Sequence, residues 1–243
     1  MAVLWVYNVE NGIWQVKPMC GRFTLSEDWS FMLDYFGISD STYEQPARYN
    51  IAPGQEITAI ISDGQRRRIG PLKWGLVPYW AKDEKIGYMT MNARAETLAE
   101  KPAFKHLIQR KRCLIPADSF YEWKKNGKGK QPMRILLKSR KIFAFAGLYD
   151  TWMAPDGSKL NTCTIITTAS NELMAEIHHR MPVILDRDGE ELWLDKTIQS
   201  SQEVLSILRP YPSEDMWVYP VSNLVGNVKN DTPECIAPLE PAL

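Results

Sequence analysis

The sequence predicts an α+β fold in which a curved, barrel-like antiparallel sheet carries flanking helices. Two observations predict this class. Short segments rich in β-branched and aromatic residues recur between turn signals along most of the 243-residue chain, whereas helical periodicity is confined to a few short stretches. The alternation of the two is too irregular for stacked βαβ units. Because no repeat, low-complexity tract or Gly/Ser linker divides the chain, we expect one integrated domain.

Nine segments have the composition of strands. They cover residues 56–62, 68–76, 113–116, 120–124, 133–137, 142–148, 163–168, 183–185 and 217–221. Asn126 and Gly127 lie between the fourth and fifth of these segments, and an Asn-Gly pair readily adopts the positive φ angles of a tight turn. These two strands are therefore predicted to form a hairpin.

Five helices are predicted, all of them short. The first covers 26–36, with Ser26 as its N-cap and Gly37 at its C-terminal end. Pro102 opens the second, which places its apolar residues on one face. Asn171 caps the third. The remaining two are predicted at 190–194 and 202–208.

Neither a membrane span nor a secretory signal is expected. The longest apolar runs, at 2–7 and 142–147, are far shorter than the roughly 20 residues that cross a bilayer. No Lys or Arg precedes the first run, which also lacks the apolar core length of a signal peptide. We therefore expect a cytoplasmic protein without membrane contacts.

Cofactor and metal sites are not expected either. The sequence has no phosphate-binding loop, dinucleotide fingerprint, zinc-protease motif or nucleophile elbow. Its four cysteines, Cys20, Cys113, Cys163 and Cys235, form no C-x-x-C pair, and the chain has only three histidines. Cys113 and Cys163 lie in apolar strand-like segments and are expected to be inert core residues.

Charge is unevenly distributed, although the formal net charge is zero. Thirteen Lys and Arg face only Asp118 and Glu122 between residues 101 and 141, whereas eleven acids face four bases from residue 186 onward. Such an arrangement suggests one positive face, which attracts phosphates whatever the total charge. The alternative is an ordinary set of solvated charges around a hairpin and a helix.

Three features are candidates for chemistry, and each has a purely structural alternative. Glu122 lies in an apolar strand and is either an inward acid or base, or a gatekeeper on an edge strand. His178 lies where a helix gives way to a strand, and it either enters a cleft or interacts with the helix dipole. The aromatic residues at 74–80, including Trp80, either stack on unpaired bases or pack in the core.

Eight motifs carry a resemblance to a known family. They are CGRF (20–23), RYNIAPG (48–54), WGLVP (74–78), MNARAET (91–97), CLIPA (113–117), FYEW (120–123), IHHRMP (177–182) and VGNVKN (225–230). Together they resemble the SRAP family, the SOS response associated peptidases and abasic-site shielding proteins. The motifs occur in the right order and span nearly the whole chain, which makes the set far more specific than any one of them.

The resemblance implies a positive groove for single-stranded DNA and self-attachment to abasic sites in the DNA-damage response. Cys20 would be the nucleophile, Asn92 would position the sugar or the adduct, and Glu122 would shuttle protons. His178 would assist opening of the deoxyribose ring, and it is preferred to His179 because the family's histidine stands two residues before the Arg of its Arg-Met-Pro. The DNA contacts that the resemblance implies are Arg22, Asn50, Trp80 and Arg94.

This chemistry requires the α-amine of Cys20. An abasic site is a masked aldehyde, with which the amine forms a Schiff base before the thiol closes a five-membered thiazolidine. An α-amine with a pKa of about 8 is roughly 10% neutral at pH 7, whereas a lysine near 10.4 is neutral only about 0.04% of the time. The same Schiff base would permit strand cleavage by an AP lyase reaction.

Nineteen residues precede Cys20, and while they remain attached its nitrogen is an amide. Three explanations are open: translation starts at Met19, the segment is removed autocatalytically, or the extension is retained and this chemistry is absent. We predict that the active form begins at Cys20. The chain then divides into an extension at 1–19, one SRAP-like domain at 20–235 and a tail at 236–243.

Two other functions stay open. A cysteine autopeptidase that removes its own leader would use Cys20, His178 and Glu122. A reversible, non-enzymatic single-strand binder would use the basic segment and Trp80. Whether it captures abasic sites or binds single strands reversibly, the protein is expected at the nucleoid when it is bound to DNA.

Overall fold

The computed structural model describes residues 5–8, 13–16, 21–127, 129–198 and 200–239. The strands in these residues are β1 (Trp5–Asn8), β2 (Ile13–Val16), β3 (Phe23–Leu25), β4 (Arg48–Ile51), β5 (Glu56–Ser62), β6 (Arg67–Trp74), β7 (Asn92–Arg94), β8 (Arg112–Ala117), β9 (Ser119–Asn126), β10 (Gly129–Leu137), β11 (Phe143–Met153), β12 (Lys159–Ala169), β13 (Arg180–Pro182), β14 (Ile184–Leu185) and β15 (Met216–Pro220). The α-helices are α1 (Trp29–Tyr35), α2 (Glu172–Ala175), α3 (Arg187–Leu194) and α4 (Ser201–Ser206).

Five strands close into a barrel in the order β12, β6, β5, β8 and β11, because β11 pairs again with β12. Every neighbour in this ring is antiparallel except β12 and β6, which run parallel at Thr162–Lys73 and Cys163–Trp74. Closure leaves no exposed edge within the ring. The predicted α+β class and barrel-like sheet are confirmed, and the parallel closure is a feature that strand periodicity does not reveal.

A second sheet of five antiparallel strands, ordered β15, β10, β9, β3 and β4, packs on the barrel. Phe23 of β3 and Phe120 of β9 meet Phe145 of the barrel edge to face, with ring centroids 5.7 and 6.0 Å apart. All three rings are buried. Such aromatic contacts add to the apolar burial that joins the two sheets.

The predicted hairpin is confirmed between β9 and β10. Asn126 pairs with Gly129, and Gly127 has a φ of 55°, the left-handed conformation that glycine adopts without a steric cost. Lys128 of this turn lies outside the described residues.

The first helix begins later than the sequence predicts, at Trp29 rather than Ser26. Asp28 caps it, with its carboxylate accepting the amide of Phe31 at 2.9 Å. The predicted cap, Ser26, instead donates its hydroxyl to Asp118 at 2.9 Å. The long-range hydrogen bond to Asp118 thus keeps Ser26 out of the helix to which the local sequence pattern assigns it.

The segment opened by Pro102 is a series of turns and not a helix, which corrects the second predicted helix. Its apolar side chains, Phe104, Leu107 and Ile108, are nonetheless buried. The predicted cap of the third helix is confirmed, because Asn171 accepts the amide of Met174 at 2.9 Å. Among the described residues, no helix has the length and apolarity needed to cross a membrane.

Candidate active site and nucleic-acid interface

Glu122 lies on β9, an interior strand of the five-stranded sheet, and is only 4% exposed. Strand alternation puts it on the same face as Phe120, which packs on Phe145 of the barrel. Tyr121 and Trp123 point to the opposite face. The structure therefore places this carboxylate inward, between the sheet and the barrel, and not on a sheet edge.

His178 follows α2 and precedes β13, and its ring contacts the backbone of Arg180. The Nδ1 atom lies 3.2 Å from both the amide nitrogen and the carbonyl oxygen of Arg180. A neutral ring that accepts the Arg180 amide at Nδ1 carries its proton on Nε2. The neighbouring His179 is exposed, and its ring lies tilted by 38° against that of His178, with ring centroids 4.3 Å apart.

An ion pair ties the strand of Glu122 to the segment of His178. Lys124 lies two residues after Glu122 on the same face of β9, and its ammonium is 3.6 Å from the carboxylate of Glu176. Glu176 precedes His178 by two residues. The two predicted acid–base groups are thus carried by segments that contact each other.

A second ion pair ties the His178 segment to the segment that carries Asn92. Arg180 is 8% exposed and binds both carboxylate oxygens of Glu96, at 2.7 and 3.0 Å. Partial burial opposes ionisation of Glu96, but the Arg180 guanidinium, a backbone hydrogen bond and the charge of Arg94 together lower the pKa of that carboxyl. A bidentate pair of this kind fixes geometry as well as charge.

Asn92 and Arg94 lie on β7, which runs parallel to β12, with Asn92 beside Ile165 and Arg94 beside Thr167. Ala93 between them is buried, so the two side chains share the other face of the strand. Arg94 is exposed.

A narrow cleft between the two sheets is lined by Ile165 and Pro182 from the barrel side and by Phe23 and Phe120 from the sheet side. Asn92, Glu122 and His178 all lie on segments around this seam.

Arg22 lies on the opposite face of β9 from Glu122. Its guanidinium is over the Trp123 ring, 5.9 Å from the centroid, and donates to Asn50 Oδ1 at 2.8 Å and to the Val225 carbonyl at 2.5 Å. Burial lowers the pKa of the guanidinium. Its described acceptors are uncharged, so its positive charge is not neutralised by them.

Asn50 is fully buried and holds Arg22 in place. Its amide nitrogen donates to the carbonyls of Val225, Asn227 and Asn230 at 3.1, 3.0 and 2.6 Å. Its backbone amide donates to Asp231 at 2.9 Å. The predicted DNA contact by Asn50 stays a prediction; in this structure its contacts are with protein groups that position Arg22.

We expect the Asn50→Ala substitution to lower the free energy of unfolding by about 2 to 3 kcal/mol, because it removes a buried side chain that bonds to three carbonyls and to Arg22. Urea denaturation of the variant and the unchanged chain measures the difference. Asn161→Ala is the matched control, since Asn161 is exposed and makes one side-chain hydrogen bond to Thr151. An equal, small loss in both variants would contradict the positioning role.

Trp74 is buried, so the core-packing alternative holds for that ring, whereas Trp80 is 47% exposed and its stacking on a base stays a prediction. The loop that carries Trp80 is held firmly. The Ala81 carbonyl accepts the indole N–H of Trp152 at 2.7 Å. Gly75, with a φ of 135°, meets Gly87 so closely that a Cβ at either position would lie within 2.9 Å of the other's carbonyl oxygen.

The described cysteines are not placed for nucleophilic chemistry. Cys113, Cys163 and Cys235 are fully buried, and burial raises the pKa of the Cys113 and Cys163 thiols. Cys20 lies outside the described residues. Within 21–127, 129–198 and 200–239, no group of three or more His, Cys, Asp or Glu side chains is placed to hold a metal ion.

A family model, described as SOS response associated peptidase (SRAP), matches residues 19–228. The chain belongs to the SRAP family. It is 53% identical over 221 residues to a Bacillus subtilis protein named abasic site processing protein YoqW, covering 90% of this chain and 99% of that protein. It is 38% identical to the Gallus gallus abasic site processing protein HMCES, covering 74% of this chain and 60% of that longer protein.

The fold is shared with solved structures. A crystal structure of a protein from Bacteroides thetaiotaomicron superposes with a TM-score of 0.83 at 30% identity, covering 91% of this chain and all of that one. Sequence reasoning missed Glu96, which pairs with Arg180, and Asp231, which accepts the backbone amide of Asn50. Glu96 lies inside a family motif, which is the signal that could have singled it out.

Proposed function

We propose that this SRAP protein acts in the DNA-damage response by covalent capture of abasic sites in single-stranded DNA, through the amine and thiol of Cys20. The observation that carries this proposal is the convergence of the Asn92, Glu122 and His178 segments at one seam. The Arg22 carbonyl accepts the amide of Tyr121 at 2.9 Å, next to Glu122. Cys20 precedes Arg22 by two residues in the sequence.

The proposed reaction has two bond-forming steps. The Cys20 amine adds to the sugar aldehyde carbon, and loss of water gives an imine; the thiol sulfur then adds to the imine carbon while the nitrogen takes a proton. Glu122 accepts protons from the amine and thiol and returns them to the departing hydroxyl and the imine nitrogen. His178 protonates the ring oxygen as the sugar opens, and Asn92 orients the sugar.

DNA is held on either side of this centre by cationic and aromatic side chains. Arg94 is exposed on the same strand as Asn92, and the uncompensated charge of Arg22 suits a phosphate. Trp80, on its anchored loop, offers a face for stacking on an unpaired base. Stacking of this kind favours single-stranded over fully paired DNA.

The experiment uses protein whose first residue is Cys20 and oligonucleotides with and without one abasic site. We expect a complex that survives denaturation only with abasic DNA, and a mass that equals protein plus DNA minus one water. Salt-sensitive binding to both oligonucleotides without a resistant complex would support the reversible binder instead.

Two further readouts of the same samples distinguish the other activities. Shortened DNA strands would reveal AP lyase cleavage from an imine that the thiol has not closed. Loss of residues 1–19 from the full-length chain without DNA would reveal the autopeptidase. An intact mass of the native protein that still begins at Met1 would count against the capture mechanism.

A further inference from the structure

The hairpin of β9 and β10 extends beyond the sheet that contains it. On one side, β3 pairs with β9 only at Ser119 and Phe120. On the other side, β15 pairs with β10 from Met133 onward. In the described part of the chain, residues 124–126 and 129–131 therefore pair as strands only with each other. We call residues 124–131 the ribbon.

The ribbon carries an uncompensated charge. Its sequence, KKNGKGKQ, contains four lysines and no acid. The strand register places Lys125 directly opposite Lys130, and both are exposed. Like charges directly opposite one another destabilise a strand pair. Lys124 has Glu176 as its ion-pair partner, but in the described part of the chain neither Lys125 nor Lys130 has a carboxylate at ion-pair distance.

The position of these lysines connects them with the site. Strand alternation puts Lys125 and Lys130 on the face of Trp123, which is the face that holds the guanidinium of Arg22. The positive charges of Arg22, Lys125 and Lys130 thus follow one another along one face of the hairpin. Glu122 and Lys124 occupy the other face.

We propose that the ribbon binds the phosphate backbone of DNA that flanks the abasic site, through Lys125 and Lys130. This inference rests on the proposed function, since it assigns a contact for the same substrate outside the reacting sugar. An anion between the two ammonium groups would relieve their repulsion. The ribbon has only Lys, Asn, Gly and Gln at its described positions, so it lacks the aromatic and apolar anchors typical of protein interfaces.

The test is the salt dependence of reversible binding by the full-length chain to an undamaged single-stranded 20-mer, followed by fluorescence anisotropy. Undamaged DNA removes any dependence on Cys20. The double variant Lys125→Gln and Lys130→Gln is expected to reduce the slope of log K against log salt by about 1.4, from two phosphate contacts at about 0.7 each. A duplex 20-mer tests whether the flanking DNA is double-stranded; for duplex DNA the expected reduction in the slope of log K against log salt is about 1.8.

The control variant carries Lys159→Gln and Lys196→Gln, which remove the same charge at one exposed and one half-buried position outside both the ribbon and the basic segment at 101–141. Its slope should match that of the unchanged chain. An equal change in both double variants would overturn the inference, because net charge alone would then explain it. An unchanged slope for the ribbon variant on both DNAs would also overturn it.

Two more measurements separate this inference from its alternatives. If Lys125 and Lys130 served only to stabilise the hairpin, the ribbon variant would have a lower Tm than the unchanged chain. If their charges repel each other, removing them should leave the Tm equal or raise it. Polyglutamate that competes as well as DNA of equal charge would overturn the nucleic-acid assignment. Capture of abasic DNA by protein whose first residue is Cys20 is scored separately, so its failure would refute the proposed function while the salt slope still tests the ribbon.

Discussion

The Cys20→Ser variant, prepared with serine as its first residue, is expected to form no denaturation-resistant complex with abasic DNA. The hydroxyl replaces the thiol that closes the thiazolidine, so the reaction stops at an imine that water reverses. We expect the yield of resistant complex to fall at least 100-fold. Gel electrophoresis under denaturing conditions, with and without borohydride, measures both species, because borohydride traps the imine that the retained amine still forms.

Cys235→Ala is the matched control. Cys235 is buried and, within the part of the chain that the structure describes, its thiol makes a single long contact of 3.5 Å to the Asn230 carbonyl, so its removal should leave capture unchanged. A second comparison keeps Cys20 but retains the residues before it. The amide nitrogen of an internal cysteine cannot form the imine, and we expect no adduct from that form. Permanent attachment by the serine variant would defeat the mechanism.

Strand positions were largely predictable because apolar and β-branched residues record burial locally. The predicted segment at 56–62 coincides with β5, and each of the other eight overlaps an observed strand. The parallel pairing of β6 with β12 was not predictable. It is decided by contacts between residues about 90 positions apart, which leave no periodic trace in either segment.

Helix boundaries could not be predicted from local pattern either. Ser26 has the chemistry of an N-cap, yet its hydroxyl and amide bind Asp118, and Asp28 caps the helix instead. The apolar positions after Pro102 predict burial correctly without predicting a helix, since turns can bury the same side chains. Local pattern thus indicates which residues are inside, whereas long-range hydrogen bonds decide the backbone that carries them.

At the site, alternation within FYEW places Glu122 on the face of Phe120, and the burial of Glu122 on an interior strand decides for the inward alternative over the edge-strand one. The hydrogen-bond partners of Arg22 could not be predicted from the sequence, because Asn50 and Val225 come from distant parts of the chain. The resemblance alone predicts Asn50 as a DNA contact. Its complete burial shows that a motif residue near a site can act by holding another motif residue.

The Glu122→Gln variant is expected to capture abasic DNA about 10² to 10⁴ times more slowly, the range typical for loss of a positioned proton-transfer group. Glutamine keeps the size of the side chain but cannot accept the protons that the amine and thiol release. Single-turnover assays of the resistant complex give the rate, and anisotropy with undamaged DNA should show affinity within about twofold of the unchanged chain.

Glu176→Gln provides a control with the same chemical change. Glu176 is in the adjacent segment, its side chain is 77% exposed and its ion pair with Lys124 spans 3.6 Å, and exposed pairs contribute little. We expect its capture rate to stay within about twofold, because loss of a nearby negative charge alone does not remove the proton shuttle. Capture by Glu122→Gln at the unchanged rate would assign the proton transfers to another group, and equal slowing in both variants would point to the local field instead.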